Sequence, residues 1–251
     1  MTDPIGSAIR PGPVLSVVCP VYNEGGNIGR LVDRLGQEIH VPIELIVVFD
    51  REDDDTLPVL QEKEGTLPFP VRAVKNRFGR GALNAIKTGF AEATHAAILV
   101  VMADLSDDLG IVDRMYGLIE AGADVVCGSR YMKGGRQIGG PRLKGFLSRL
   151  AGTSLHHLAG VPTHDVTNSF KMYRTAFLHS LTLESSGGFE IGMEVVVKAH
   201  VLGARIAELP STWTDRVAGA SRFRLWKWLP NYLRWYFFAF RAAPRPRGDT
   251  A

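Results

Sequence analysis

Short apolar runs alternate along the first half of the chain with segments whose apolar residues recur every three or four positions. The runs Val14–Tyr22, Glu44–Phe49, Val71–Lys75, Ala96–Met102 and Asp124–Gly128 read as buried parallel strands. Between the first two, Ile28, Leu31, Val32, Leu35 and Ile39 keep helical spacing, and Ile111, Met115, Leu118 and Ile119 do so between the last two. Such alternation predicts a parallel sheet covered by helices.

After Tyr131 the rhythm changes. Gly134, Gly135, Gly139, Gly140 and Pro141 predict a flexible stretch, followed by a helix over Leu143–Leu158. Strand candidates Ser169–Tyr173 and Arg205–Leu209 flank a helical run from Glu190 to Leu202. The expected organisation is a flexible arm (1–13), one domain (14–222), a segment 223–241 and a flexible tail (242–251). Within the domain, residues 14–131 read as the nucleotide-binding half and 132–222 as the acceptor half.

The segment 223–241 is aromatic and basic, with Phe223, Trp226, Trp228, Tyr232 and Trp235 leading into Tyr236, Phe237, Phe238 and Phe240. Arg224, Lys227, Arg234 and Arg241 fall near one helical face. Pro230, Asn231 and Arg234 interrupt it well short of the roughly 20 apolar residues that a bilayer-spanning helix needs. An amphipathic helix lying in the membrane interface is expected. Packing on the protein's own core or on a second subunit is the alternative.

With 251 residues, 45% of them hydrophobic and 22% charged, the chain has the composition of an ordinary globular protein with one large core. The net charge of +3 is too small and too evenly spread to argue for a nucleic-acid partner. Cys19 and Cys127 both fall inside predicted strands, where a reduced cysteine packs as a small hydrophobe. A reducing, cytoplasmic setting is expected, since the first 13 residues lack the apolar core of a signal peptide.

The chemistry concentrates at strand ends. The run from Ile98 to Met102 opens through Ala103 into Asp104, Asp107 and Asp108, and ligands of open α/β sheets sit at such ends. A divalent cation would bridge these carboxylates to a nucleotide diphosphate, which makes Asp104 a candidate metal or nucleotide contact. Capping of the next helix by Asp104 and Ser106 is the alternative. Pro20-Val21-Tyr22-Asn23-Glu24 closes the first strand and offers a ring and a carboxylate to a base or ribose, or is simply a turn with an N-cap.

Asp50 closes the second strand before Arg51-Glu52-Asp53-Asp54-Asp55-Thr56, which by itself reads as a solvated loop. Gly79-Arg80-Gly81 opens a helix at Ala82, where free N–H groups and a cation can face an anion. It is not the three-glycine dinucleotide fingerprint, which disfavours a nicotinamide dehydrogenase. Arg130, in Gly128-Ser129-Arg130-Tyr131, is a candidate bidentate phosphate clamp or a surface arginine. Lys144, Arg174, Arg216 and Arg222 are further candidate phosphate cations, with a solvated helix face the alternative for Lys144. His156, His157 and His164 lack zinc-ligand spacing and read as loop or surface histidines.

In this order and spacing the motifs resemble the family-2 glycosyltransferases, most closely the dolichyl-phosphate mannosyltransferase-like, polyprenyl-phosphate branch, from about Val14 to Phe223. Pro20–Glu24, Asp50, Asp104 and Gly128–Tyr131 with Lys133-Gly134-Gly135 carry the resemblance in the first half. Asp165–Arg174, Glu194, Leu202–Ile206, Pro210, Asp215-Arg216, Gly219 and Ser221 continue it. The chain departs where the family has paired aspartates on the second strand (here Phe49-Asp50) and Asp-Ala-Asp (here Met102-Ala103-Asp104), and Asn168-Ser169 replaces Ser-Gly.

The resemblance implies a GT-A-like, Rossmann-type, mostly parallel α/β sheet flanked by helices. It implies an inverting transfer of a mannose or glucose-type hexose from a GDP- or UDP-linked donor to a polyprenyl phosphate, at the cytoplasmic membrane face. Pro20, Tyr22, Glu24, Asp50, Gly79, Gly81, Ala103 and Asp104 are the expected donor contacts, and Arg130, Lys144, Ser169, Arg174, Arg216 and Arg222 the expected acceptor and phosphate contacts. Asp104, Arg130 and Arg216 are the expected catalytic residues. Mg2+ or Mn2+ is expected at Asp104, with Asp107 or Asp108 supplying a missing ligand. A soluble glycan or protein acceptor, or a catalytically impaired membrane module, are the competing functions, and a homo-oligomer is left open.

Overall fold

The computed structural model describes Gly12, residues 14–215 and residues 225–241. The rest of the 1–13 arm, Arg216, Arg222, Phe223, Arg224 and the 242–251 tail lie outside the described residues. Strands β1 (Leu15–Pro20), β2 (Ile43–Phe49), β3 (Val71–Lys75), β4 (Ala97–Val100) and β5 (Val125–Ser129) match the predicted runs to within two residues. All but β3 are buried along their whole length. That accounts for their unbroken apolar character, since each fully buried Val, Leu or Ile contributes about 1.5–3 kcal/mol.

With β7 (Lys171–Arg174) and β8 (Ile206–Pro210) they form a seven-stranded sheet in the order β3-β2-β1-β4-β7-β5-β8. Every pairing is parallel except those of β7, which runs antiparallel between β4 and β5. Residues after 131 therefore complete the same sheet as those before it.

Helices α1 (Gly25–Glu38), α2 (Thr56–Lys63) and α4 (Val112–Glu120) cover one face of the sheet; α3 (Ala82–Glu92) and α7 (Ile191–Val201) cover the other. Alternation along β1 sends Leu15, Val17 and Cys19 to the first layer and Val18 to the second. In α1, Ile28, Leu31, Val32 and Leu35 are buried, as their spacing predicts.

The sequence reading missed α2, the short α6 (Thr175–His179), and a two-stranded sheet of β6 (Arg136–Ile138) with β9 (Thr212–Thr214). Strand β6 lies in the stretch expected to be flexible. Helix α5 (Arg142–Ser154) follows it and runs on as a π-helical turn, Leu155–Ala159.

Helix α8 (Leu225–Phe238), which continues as a 3₁₀ turn to Arg241, packs on α7. Trp235 is buried, its Nε1 donates to Ser185 Oγ at 3.1 Å, and Lys198 Nζ lies 5.0 Å from its ring centre. Trp228 meets Phe189 edge-on at 5.9 Å. The tryptophans at 228 and 235 thus belong to the protein's own packing, the alternative weighed for this segment. Among the described residues no helix is long and apolar enough to cross a membrane.

Candidate functional site

Strand order reverses between β1 and β4, because β2 and β3 build outward on one side of β1 and β4 on the other. Crevices outside the carboxyl ends of strands at such a reversal are where ligands of open α/β sheets bind. Two expected motifs flank it: Pro20–Glu24 after β1, and Met102–Asp104 after β4.

The β1 loop is braced from below. Asn23, with φ at 54°, donates its N–H to Asp54 at 3.0 Å. Glu24 N–H donates to Thr56 Oγ1 at 3.0 Å and Gly25 N–H to Asp55 Oδ1 at 2.8 Å. A Cβ on Gly25 would lie 2.7 Å from the Asp55 carbonyl oxygen, so the approach requires glycine. The acidic run is thus a clamp across two loops and not merely a solvated loop. Tyr22 remains exposed at the rim.

Asp50 holds the next loop. Its Oδ1 accepts from Asn76 Nδ2 at 2.8 Å and its Oδ2 from Gly81 N–H at 2.9 Å. Gly79 and Gly81 have φ of 100° and 106°, the left-handed region that favours glycine. Phe49, where the family has an aspartate, is buried in the core.

After β4, Asp104 Oδ1 accepts from Ser106 N–H at 3.2 Å and Ser106 Oγ at 2.6 Å, across Leu105 at φ 64°. This local turn, three residues short of the next helix, replaces the helix cap that was the alternative reading. Asp107 is buried and accepts the Met102 N–H at 2.9 Å. Burial pushes its carboxyl from 3.8 up to about 7; Asp104's charge adds to this, and the Met102 N–H, Arg130 and Arg34 oppose it. Asp108 Oδ2 accepts the Thr212 N–H of β9 at 3.0 Å.

Among the described residues no three His, Cys, Asp or Glu side chains converge on one point. Asp107 and Asp108 each use one carboxylate oxygen to brace the loop, on the Met102 and Thr212 N–H groups. Among the described residues the side chains alone do not form a three-ligand cage for Mg2+ or Mn2+.

At the end of β5, Arg130 is corrected from an open phosphate clamp to a buried ion pair. Its Nε donates to Asp165 Oδ2 at 2.7 Å and its Nη2 to Asp165 Oδ1 at 2.9 Å, Ser148 Oγ at 3.0 Å and Thr167 Oγ1 at 3.1 Å. Burial works against both charges, but each partner outweighs it, holding the guanidinium above its ordinary range and the Asp165 carboxyl below its own. Tyr131 Oη reaches Gln137 Oε1 and Ser148 Oγ, each at 2.9 Å. This network ties β5, α5 and the loop before β7 together. Asp165 and Ser148 were missed as its members, since partners 35 and 18 residues from Arg130 leave no local signal.

Arg174 falls at the wrong edge. Because β7 is antiparallel, Arg174 pairs with Ala97 at the start of β4. Its Nη2 donates to Gly122 and Ala123 carbonyls at 2.6 and 3.1 Å, away from the carboxyl ends. The same reversal brings Ser169, just before β7, to a crevice beside Val100 at the carboxyl edge. Lys144 lies partly buried on α5, and Arg216 and Arg222 are outside the described residues.

His164 stacks on His156 at 3.8 Å, with its Nδ1 2.5 Å from Glu208 Oε1. Both cysteines are buried, and burial pushes the Cys127 thiol up to about 12.

The fold is GT-A-like, a mostly parallel seven-stranded sheet flanked by helices. Glucosyl-3-phosphoglycerate synthase from Mycobacterium tuberculosis with Mn2+, UDP and glucosyl-3-phosphoglycerate aligns with TM-score 0.64 at 19% identity, over 94% of this chain and 82% of that one. With Mn2+, UDP-glucose and phosphoglyceric acid, the score is 0.67 at 17% identity, over 93% and 82%. At such identity the likeness shows the fold alone.

Residues 16–182 match the family described as Glycosyl transferase family 2, and the chain belongs to that family. A dolichol-phosphate mannosyltransferase of Pyrococcus furiosus is 28% identical over 225 residues, 88% of this chain and 62% of that protein. A polyprenol monophosphomannose synthase of Mycolicibacterium smegmatis is 28% identical over 224 residues, 86% of this chain and 83% of that protein. The chain thus spans less than two thirds of the first relative's length.

Proposed function

We propose that the chain transfers a mannose or glucose-type hexose from a GDP- or UDP-linked donor to a polyprenyl phosphate at the cytoplasmic membrane face, inverting the anomeric carbon. The observation that carries this is the crevice between the carboxyl ends of β1 and β4, flanked by Tyr22 and Asp104 and bordered by the Asp50-held glycine loop. The names of the two relatives support the acceptor class. Tyr22, Glu24 and the Asp50 loop bind the nucleoside, and Ala103 and Asp104 face the diphosphate.

In this reaction a phosphate oxygen of the acceptor attacks the anomeric carbon, the bond to the donor's diphosphate breaks, and the nucleoside diphosphate leaves. A phosphate monoester, with second pKa about 6, is largely anionic at pH 7 and needs positioning more than deprotonation. Lys144, Ser169, Arg216 and Arg222 take the acceptor phosphate. Arg130 acts as a positioning residue through Asp165. Mg2+ or Mn2+ held jointly by Asp104 and the donor's own diphosphate would offset the leaving group's charge.

The test is transfer from radiolabelled GDP-mannose or UDP-glucose to a short-chain polyprenyl phosphate, with extraction of the lipid product. No transfer from either donor refutes the reading. Phe49 and Met102, in place of two family carboxylates, favour a second one, a module that binds donor without turning it over. Donor affinity with no product would select it.

A further inference from the structure

We infer that Glu190 and Glu194 are positioning residues for the transfer: through the loop between α6 and α7 they hold Phe189 in the crevice beside Ser169, where its ring keeps water from the hexose. The inference rests on the proposed function, which puts the acceptor phosphate at Ser169.

Glu190 stands at the N-cap of α7 and Glu194 one turn further on, and both are fully buried. Taking a carboxylate out of water is unfavourable unless hydrogen bonds satisfy its oxygens. Here all four oxygens accept from one loop. Glu194 takes the N–H groups of Glu184 and Ser185 at 2.6 and 2.8 Å, and Glu190 those of Gly187 and Gly188 at 2.6 and 2.5 Å. Lys198 Nζ donates to Glu194 at 2.8 Å from the next turn.

Other elements close on the same loop. Lys87 of α3 donates to the Ser185 carbonyl at 2.7 Å. A Cβ on Gly188 would lie 3.0 Å from the Trp228 ring, so glycine there lets α8 approach. The loop ends in Phe189, half-buried between Trp228 and the crevice. It lines the crevice with Ile86 and Phe90 of α3, Val100 of β4 and Ile191 of α7, and Ser169 contributes a hydroxyl. About 10 Å³ of free space is left, room for roughly one water. An apolar crevice so small does not hold a substrate; it excludes solvent from the side of the acceptor phosphate.

Hydrolysis is the competing reaction. A water oxygen bonds to the anomeric carbon, the bond to the diphosphate breaks, the water's proton passes to solvent, and free hexose leaves with the acceptor unchanged. Closing a site against water suppresses such side reactions. The same ring gives the acceptor's first carbon atoms an apolar wall.

The test follows labelled donor with a short-chain polyprenyl phosphate, counting hexose transferred and hexose released free, beside the donor's dissociation constant from calorimetry. Phe189→Ala should raise the acceptor KM about tenfold and the free-to-transferred ratio by about as much, with donor affinity within about twofold of the parent's. Glu190→Gln and Glu194→Gln, which set an NH2 group against a loop N–H, should move both quantities the same way. Phe189→Leu, still apolar, should stay near the parent. Phe189→Ala reads the seal directly where a Gln variant does not fold.

A folded Phe189→Ala chain with the parent's acceptor KM and ratio overturns the inference, as do Gln variants that fold yet match the parent. Donor affinity that falls in step with acceptor affinity marks a purely structural role and overturns it too. A parent chain that transfers no hexose overturns the proposed function and this inference with it; a transferring parent with an unaltered Phe189→Ala chain overturns this inference alone.

Discussion

Replacing Asp107 with Asn separates a loop support from a metal ligand. The carboxyl is buried beside Asp104, and its rise from 3.8 to about 7, at ~1.36 kcal/mol per tenfold, amounts to roughly 4 kcal/mol between its two protonation states. Between about pH 4 and pH 7 the folded chain holds a proton that the unfolded chain has released. This contribution to stability is fully present below 3.8 and is lost as pH rises through about 7.

Asn keeps an oxygen for the Met102 N–H and carries no charge to desolvate. In urea unfolding with chelator, Asp107→Asn should match the parent near about pH 4 and exceed it at about pH 8 by up to ~4 kcal/mol, on the order of 10 °C in Tm for a chain of this size. Equal differences at both pH values would refute the burial argument. A loss of stability at pH 8, together with weaker metal-assisted donor binding, would give Asp107 the ligand role.

Asp104→Ala should abolish transfer with little change in Tm, and an active variant would remove Asp104 from the mechanism. Asp165→Ala leaves Arg130 buried and unpaired and should cost about 3–5 kcal/mol in denaturant unfolding. Gly89→Ala puts a Cβ 2.1 Å from Val18 Cγ1, where α3 lies on β1, and should destabilise by about 1–3 kcal/mol without changing donor affinity. Calorimetry should find weak Mg2+ or Mn2+ binding to the free chain and clear binding once nucleoside diphosphate is present. Met102→Asp should strengthen it, because a thioether is a poor ligand for these hard cations.

The strand ends that carry the candidate site were legible because they are local. Asp50 and Asp104 each close an apolar run, the glycines at 79 and 81 come four and six residues after β3, and a parallel sheet puts all such ends on one edge. Partners were not legible. Arg130 reads alike whether it faces phosphate or Asp165, and only the packing of the loop before β7 decides between them.

By itself the sequence determined the alternation of buried strands and amphipathic helices, and hence the α/β class, because burial on both sheet faces demands unbroken apolar runs. It also determined which residues follow those strands. Tertiary structure decided the direction of β7, which sent Arg174 to one edge and Ser169 to the other. It decided as well which side of α8 meets α7, burying Trp235 and leaving Phe237 in solvent. Strand direction and helix rotation are set by contacts between residues far apart in the chain, and hydropathy within a single segment is the same for either outcome.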